Sequence, residues 1–499
     1  MKLKSLVVAI SLFSALAAQA QNDDDVVRYS LLTAGGTARS SGLAGATGAL
    51  GGDFSALSNN PAGLGLYHGS EFVFTPTIYN IRTTAGYLGE GLSSQTTRFS
   101  FNNLGLVTNN KYRFKGKEVE KGWRSVSWAF GFNKIASFAN SISYGNYNRS
   151  SSIGDKYMQD ISGKSILPGN AYNYDPFGSG LAYNAWLLDA NYPDSTNYTA
   201  VNAGGQVNQQ VDINERGAIN EMNLGVGANY SEKIFVGASL GIPFVRYSRS
   251  MDYVETDDSL KHADFKSFVS SSDLTTTGSG INLKLGLIYK FNDFVRVGAA
   301  IHTPTYYGFS DKYTVKMTTV RDTSGEHADE TTSSIKYNIY TPWRFVGSAA
   351  FMIKQYGFIT VDYEFVDHSS SDLTFVNGSA SDNAAAHDIN RILSKYYTSA
   401  SNIRIGAEAK IDIFHIRAGY AVYGSPYKTP TVAGYDQKMQ VISFGAGLRE
   451  KDYFFDVTFS HSAASVLNIP YAFENTIPTP AATLKVNKNM LSASIGFKF

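Results

Sequence analysis

Asn489-Met490-Leu491-Ser492-Ala493-Ser494-Ile495-Gly496-Phe497-Lys498-Phe499 closes the sequence, and from Leu491 onward its apolar residues fall on every second position. Period two marks a β-strand with one apolar face, because successive side chains of an extended chain point to opposite sides. The same alternation runs through Phe72-Val73-Phe74-Thr75-Pro76-Thr77-Ile78-Tyr79 and Val126-Ser127-Trp128-Ala129-Phe130-Gly131-Phe132. Further segments begin near Asn220, Ile234, Asn282, Val295, Lys336, Phe358, Ile403, Phe414, Gln440 and Tyr453. Many are punctuated by glycine, as in Asn223-Leu224-Gly225-Val226-Gly227-Ala228-Asn229-Tyr230 and Ser443-Phe444-Gly445-Ala446-Gly447-Leu448. Small residues on an inward-facing side are expected to leave an interior open.

The count is about fourteen strands if residues 123–147 form one long strand with an irregularity near 133–136, and fifteen if they do not. Connection lengths favour the even number, because short and long ones alternate. Short connections fall at 230–233, 291–293, 354–356, 411–413 and 449–452, and long ones at 149–217, 255–278, 321–332, 369–400, 424–438 and 461–483. Transmembrane barrels place tight turns at one rim and long loops at the other, whereas a soluble sandwich has no reason to sort connections by parity. The expected fold is therefore all-β: a transmembrane antiparallel barrel over residues 69–499, with its largest extracellular loops at 149–217, 255–278 and 369–400. One connection on the short side, 109–122, is longer than this scheme wants. Two long loops carry helical patterns. Ile389, Ile392, Leu393 and Tyr396 follow i, i+3, i+4, i+7 spacing, and residues 181–188 are a weaker candidate; both either cover the mouth or tie down their loops.

Composition alone is ambiguous. Gly 46, Tyr 32 and Phe 31 are high for 499 residues, and charged residues make up 17%, with a mean hydropathy of −0.17. A secreted all-β protein and a membrane barrel both fit these values. The N-terminus adds a direction. Lys2 and Lys4, the apolar run 6–18 and Ala18-Gln19-Ala20 read as a signal peptide over residues 1–20, since a spanning helix needs about 20 apolar residues. Without cysteine, neither a disulfide framework nor a lipoprotein anchor is available. A net charge of +1 with no block of one sign makes nucleic acid an unexpected partner. The terminal strand resembles the recognition strand of outer-membrane proteins, with Phe497 and Phe499 in place and Ser494 standing where glycine is frequent. It implies barrel-assembly machinery as a partner through Phe499, outer-membrane lipid as the surroundings, and a monomer, since a closed barrel has no free edge.

Between the signal peptide and the first strand, residues 35–64 are rich in glycine, alanine and serine and lack alternation. Glycine permits sharp turns and close backbone approach, as a segment packed inside a barrel requires, so residues 21–68 are assigned as a hatch in the lumen. No Gly-Lys-Ser/Thr follows, which sets a phosphate loop aside. Here the sequence resembles the FadL/TodX family of outer-membrane transporters of hydrophobic compounds. The matching residues are Ala38-Arg39-Ser40, Gly45-Ala46, Asp53 and Asn60-Pro61-Ala62-Gly63. Val297-Gly298-Ala299-Ala300-Ile301-His302-Thr303-Pro304, Ile416-Arg417-Ala418-Gly419-Tyr420 and Ser425-Pro426 continue the likeness downstream. The resemblance implies a fourteen-stranded barrel with an N-terminal hatch. It also implies import of long-chain fatty acids or aromatic hydrocarbons, captured among the outer loops, held in an internal pocket and released sideways at a kink in the third strand. Asn133, Lys134, Ile135 and Ala136 are the candidate kink, with an ordinary bulge or a turn as the alternative. A fatty acid needs a partner for its carboxylate, and Arg246, Arg296, Arg344 and Arg417 are the candidates on strands, although lumen arginines are commonly paired with Asp or Glu.

Other chemistries find less support. The eight histidines, His68, His262, His302, His327, His368, His387, His415 and His461, show no metal-ligand spacing, and His68 and His302 are the two with a claim to face the lumen. No cofactor or metal is expected, and nothing singles out a haem ligand. Gly178-Ser179-Gly180 and His461-Ser462 fall short of a hydrolase signature, so no enzyme is expected. A non-specific porin and a structural surface barrel or adhesin remain alternatives; a porin would have no need of the hatch.

Overall fold

The alternating segments pair with their sequence neighbours in antiparallel fashion until the last meets the first. Glu71–Tyr87 pairs with Glu90–Lys111 on one side and with Ala482–Lys498 on the other, placing Phe74 opposite Ile495. Backbone bonds of 3.0 Å in each direction between Ser70 and Phe499 close the ring at its lower rim. The computed structural model describes residues 23–33, 35–191, 196–428, 435–473 and 479–499; the expected signal peptide lies outside them. The main sheet has eighteen strand segments. They make fourteen positions around the wall, because the third, seventh, eighth and ninth strands each come in two pieces. The third strand, Trp123–Ser137 with Asn140–Asn148, is one strand by this measure: both pieces pair with Val207–Tyr230.

Alternation does the sorting of the two faces. On the outside, Leu104, Leu106, Trp128, Phe130, Phe132, Leu285, Leu287, Phe345, Ile403, Ile405, Ile416, Phe444, Phe455 and Phe497 are exposed, while their sequence neighbours are mostly turned inward and buried. So wide an apolar band cannot face water, and closed antiparallel barrels of this kind are outer-membrane structures; the chain is an outer-membrane β-barrel. At the lower rim the connections are short, and residues 112–122 fold into a small hairpin of Arg113–Phe114 against Lys117–Glu118.

The upper rim corrects several expected boundaries. The strands flanking the first two large loops begin earlier than alternation suggests. Val207–Tyr230 and Ser267–Lys290 both pair to the top of Ile234–Thr256, where Thr256 lies opposite Asn208 and Ser267. Outward positions in residues 207–216 and 267–277 are polar apart from Val269, so this part of the wall lacks a lipid-facing apolar row, although Val207, Val211, Ile213, Phe268 and Leu274 are buried inward. The expected long connection 321–332 is a tight turn, for Arg321 already pairs with Gly325. Loop 369–400 holds a short strand, Asp372–Phe375, and the helix Ala380–Tyr396, which opens on a Ser379/Asp382 capping box and buries Ile389, Ile392 and Leu393. The weaker helical pattern resolves into Ser179–Asn184 followed by the strand Leu188–Ala190.

The inward glycines do not leave an open interior, contrary to expectation. A Cβ on Gly105 would lie 2.2 Å from the Phe54 ring, on Gly225 2.2 Å from Leu57, and on Gly237 2.2 Å from the Pro61 carbonyl oxygen. The space they free is filled by the N-terminal segment.

Candidate functional site

The hatch is a chain of short turns, each capped by its own polar side chain. Thr37 caps Ala38–Gly42, Asp53 caps Phe54–Leu57, and Asn60 caps Pro61–Leu66, with Pro61 in the first helical position where its missing N–H costs nothing. Asn60 does more than cap. Its Oδ1 accepts from Ala62 N at 3.2 Å, while Nδ2 donates to Gly48 O at 2.7 Å and to Leu287 O of the sixth strand at 3.3 Å. Gly286 makes room for it, since a Cβ there would lie 2.0 Å from Oδ1. Ala62 and Gly63 are buried behind it. Replacing Asn60 with alanine is expected to destabilise the seated hatch by about 1–2 kcal/mol. Faster hydrogen exchange at the Ala62 amide, with the wall amides unchanged, is the measurement that checks it.

Charged groups tie the hatch to the wall. Asp362 of the ninth strand accepts from Thr47 N and Gly48 N at 3.0–3.2 Å and from Asn59 Nδ2. Arg39 Nε meets Glu408 at 3.2 Å. Burial works against the Arg39 charge, but Glu408, Asp53 and Asp456 outweigh it and hold the guanidinium above its ordinary pKa, so the tie is ionic. Ser494 has a place in this scheme: its Oγ accepts from Ala38 N at 2.7 Å, a bond glycine could not make.

Above the hatch lies an apolar chamber, and it is occupied. The helix Asp23–Arg28 and the residues after it bury Val26, Val27 and Tyr29 among Ile135, Ile219, Val245, Tyr307, Phe309 and Tyr337. Tyr29 stacks on Phe309 at 4.5 Å and meets Phe138 edge-on at 6.0 Å, and the Arg28 guanidinium sits 4.5 Å over the Tyr247 ring. The helix Ala380–Tyr396 roofs the chamber with Ala385, Ala386, Ile389 and Leu393. A second apolar cluster, built on the loop helices Ile153–Ile161 and Ser179–Asn184 with Tyr144, Phe268 and Phe473, caps the mouth. Below the chamber a polar cavity of about 70 Å³ runs between Leu32, Asn59, Ile135, Glu221, Lys284 and His302.

The wall beside the chamber is interrupted. Second and third strands pair only from Asn103 opposite Asn133 down to Lys111 opposite Ser125. Above that point Glu90–Asn102 keeps its partner in the first strand but has none on the other side among the described residues, while Asn140–Asn148 pairs with the fourth strand alone. Pairing with the fourth strand shifts register between Lys134 and Ala136, and the strand breaks at Phe138 and Ala139. The irregularity expected at Asn133, Lys134, Ile135 and Ala136 is thus a bulge whose bend continues to residue 139. Side chains alone bridge the gap: Thr83 Oγ1 donates to Asn140 Oδ1 at 2.7 Å, Ser94 Oγ donates to Ser141 O, and Asn146 Nδ2 donates to Leu88 O at 2.8 Å.

The four candidate arginines do not form one site. Arg344 is bound to Glu364 at 2.9 Å and to Ser30 O, and Arg417 to Glu408 at 2.5 Å and Asp456 at 2.6 Å. Arg296 lies lower, with Nη1 3.3 Å from Leu50 O. Arg246 is exposed on the outer face with Phe244, so it cannot reach the lumen from there. His302 does face inward and meets Asn59 O at 2.9 Å, whereas His68 is exposed. Sequence reasoning missed Asp362, Glu364 and Glu408, and the signal for them was parity: each stands at an inward position of a strand whose outward neighbours are apolar.

A closed fourteen-stranded membrane barrel, plugged by its own N-terminal segment and open on one strand edge beside an apolar chamber, defines the class. No family model and no curated protein matches the chain. Solved structures do. The P. putida toluene transporter TodX is similar at 13% identity with a TM-score of 0.55, covering 94% of this chain and 99% of that one. A Pseudomonas aeruginosa FadL homologue gives 11% identity and 0.55 over the same shares, 94% and 99%. The Ralstonia pickettii toluene transporter TbuX gives 15% and 0.50, again over 94% and 99%. The chain has the FadL/TodX fold from hatch to final strand.

Proposed function

We propose that this barrel carries hydrophobic small molecules, long-chain fatty acids or aromatic hydrocarbons, inward across the outer membrane without catalysing a reaction. The observation that carries the reading is the unpaired upper edge of the second strand beside the apolar chamber. A greasy solute gains nothing from a watery channel. It can instead be held by the rings around Tyr29 and pass sideways into the bilayer, recovering about 0.8 kcal/mol per buried methylene. The loop helices supply the capture surface, the hatch closes the aqueous path below, and the bend at residues 133–139 supplies the exit. The solved neighbours named as toluene transporters share this fold, which supports a hydrophobic cargo. Against the porin alternative stands the hatch, whose Phe54 and Leu57 side chains and Pro61 carbonyl pack on Gly105, Gly225 and Gly237.

Uptake of labelled oleate and of a labelled small sugar, by cells with and without the protein, tests this. Oleate uptake should depend on the protein and sugar entry should not; the reverse pattern would replace this reading with a porin.

A further inference from the structure

The lateral gap carries positive charge that the ionic network around the hatch does not neutralise. Trp128, Phe130 and Phe132 face outward on the third strand, and Lys134 shares their side. Beyond Asn133 the strand bends into the lumen, so that side turns toward the inner surfaces of the first, second and fourteenth strands. Lys134 reaches across the gap to donate to Ser100 Oγ on the second strand, and its ammonium lies 5.9 Å from the centre of the Tyr79 ring on the first. Lys488 of the fourteenth strand approaches the same ring to 4.4 Å. Tyr79 is held in place by its own bond to Asn102 Oδ1. Several other lumen cations have carboxylates: Lys284 has Glu221, Arg344 and Arg404 have Glu364, and Arg39 and Arg417 have Glu408. Among the described residues, no carboxylate pairs with Lys134 or Lys488.

Two ammoniums converging on one aromatic ring repel each other, more strongly in a protein wall than in water, and the ring's quadrupole offsets only part of that. An anion placed between them removes the conflict. It would arrive from the apolar chamber and leave into lipid, so the molecule that brings it must carry an apolar tail. We infer that Lys134 and Lys488, held about Tyr79, bind the head group of a single-chain carboxylate as it passes through the gap. The inference rests on the transport reading and narrows it: the exit favours anionic amphiphiles over neutral hydrocarbons, which offer the lysines nothing. A membrane lipid phosphate has the same charge chemistry, and the test separates the two sources.

Initial uptake of labelled laurate, dodecanol and toluene is compared in cells carrying the full chain, the Lys134→Met/Lys488→Met pair and the Lys134→Arg/Lys488→Arg pair. Heat-shifted gel mobility checks that each barrel is folded. The methionine pair should lower laurate uptake about tenfold and leave the neutral probes within about twofold, and the arginine pair should restore laurate. Equal losses for laurate and dodecanol, or none, would overturn the inference. So would loss of a co-purifying anionic phospholipid from the methionine pair, read by mass spectrometry, with laurate uptake intact; the lysines would then hold resident lipid. If the unaltered protein carries none of the three probes, the transport reading fails instead.

Discussion

Joining the second and third strands across the gap, through Ser94→Cys and Ser141→Cys, is expected to cut oleate uptake at least about tenfold under oxidising conditions, with full recovery on reduction. The unmodified chain has no cysteine, so the only disulfide that can form within the variant is the engineered one. Ser94 Oγ already reaches the Ser141 carbonyl, and such single side-chain bonds are a weaker seam than the backbone ladder below them. A hydroxyl bond of this kind is worth about 0.5–1.5 kcal/mol, so it opens readily, whereas a covalent link does not. Cross-linking Asn109 and Ser127, lower on the same two strands where the ladder is continuous, serves as the control and should leave uptake unchanged. Persistence of uptake in the oxidised Ser94/Ser141 variant would show that cargo leaves elsewhere, and the bend at 133–139 would become a structural bulge.

The barrel was legible in the sequence because lipid on one side and a packed lumen on the other impose a period of two that few other environments sustain for so long. Legibility ended where lipid ends. Residues 207–216 and 267–277 pair as regularly as any strand, but their outward positions lack the lipid-facing apolar row, and their inward ones mix Val207, Val211, Ile213 and Phe268 with polar residues. The hatch was legible by its composition, and Asn60, Pro61, Ala62 and Gly63 all sit where a turn against the wall requires them. The chamber was not. Tyr29, Phe138 and the hairpin pair Phe309 and Tyr337 come from three separate parts of the chain, and nothing local to any of them reports that barrel closure brings them together. The arginine candidates failed for a related reason. Arg344 and Arg417 face inward as alternation implies, yet Glu364 and Glu408 lie on adjacent strands and Asp456 two strands away, where register and barrel curvature decide the pairing. Lys134 shows the reverse case: its outward parity is correct for a straight strand, and only the bend turns it toward the lumen side of its neighbours.

Removing residues 23–32 is expected to tighten binding of a labelled fatty acid by at least about tenfold. The segment occupies the chamber by burying Val26, Val27 and Tyr29, a gain of about 1.5–3 kcal/mol for each large side chain. The remaining anchors are few: Ser30 Oγ to His368 Nδ1 at 2.9 Å, Arg344 to Ser30 O, and Arg28 over Tyr247. A segment held by so few contacts can be displaced, and a ligand entering the chamber must displace it, so the ligand's affinity is reduced to the fraction of barrels whose chamber is free. Tyr29→Ala should act in the same direction by a smaller factor, since it removes the ring stacked on Phe309 and leaves the helix. The hatch turns from Thr37 to Leu66 are untouched by either change, so sugar entry should stay closed in both. If affinity were the same with and without residues 23–32, the cargo would bind elsewhere, and the cluster around Tyr29 would be a fixed part of the plug.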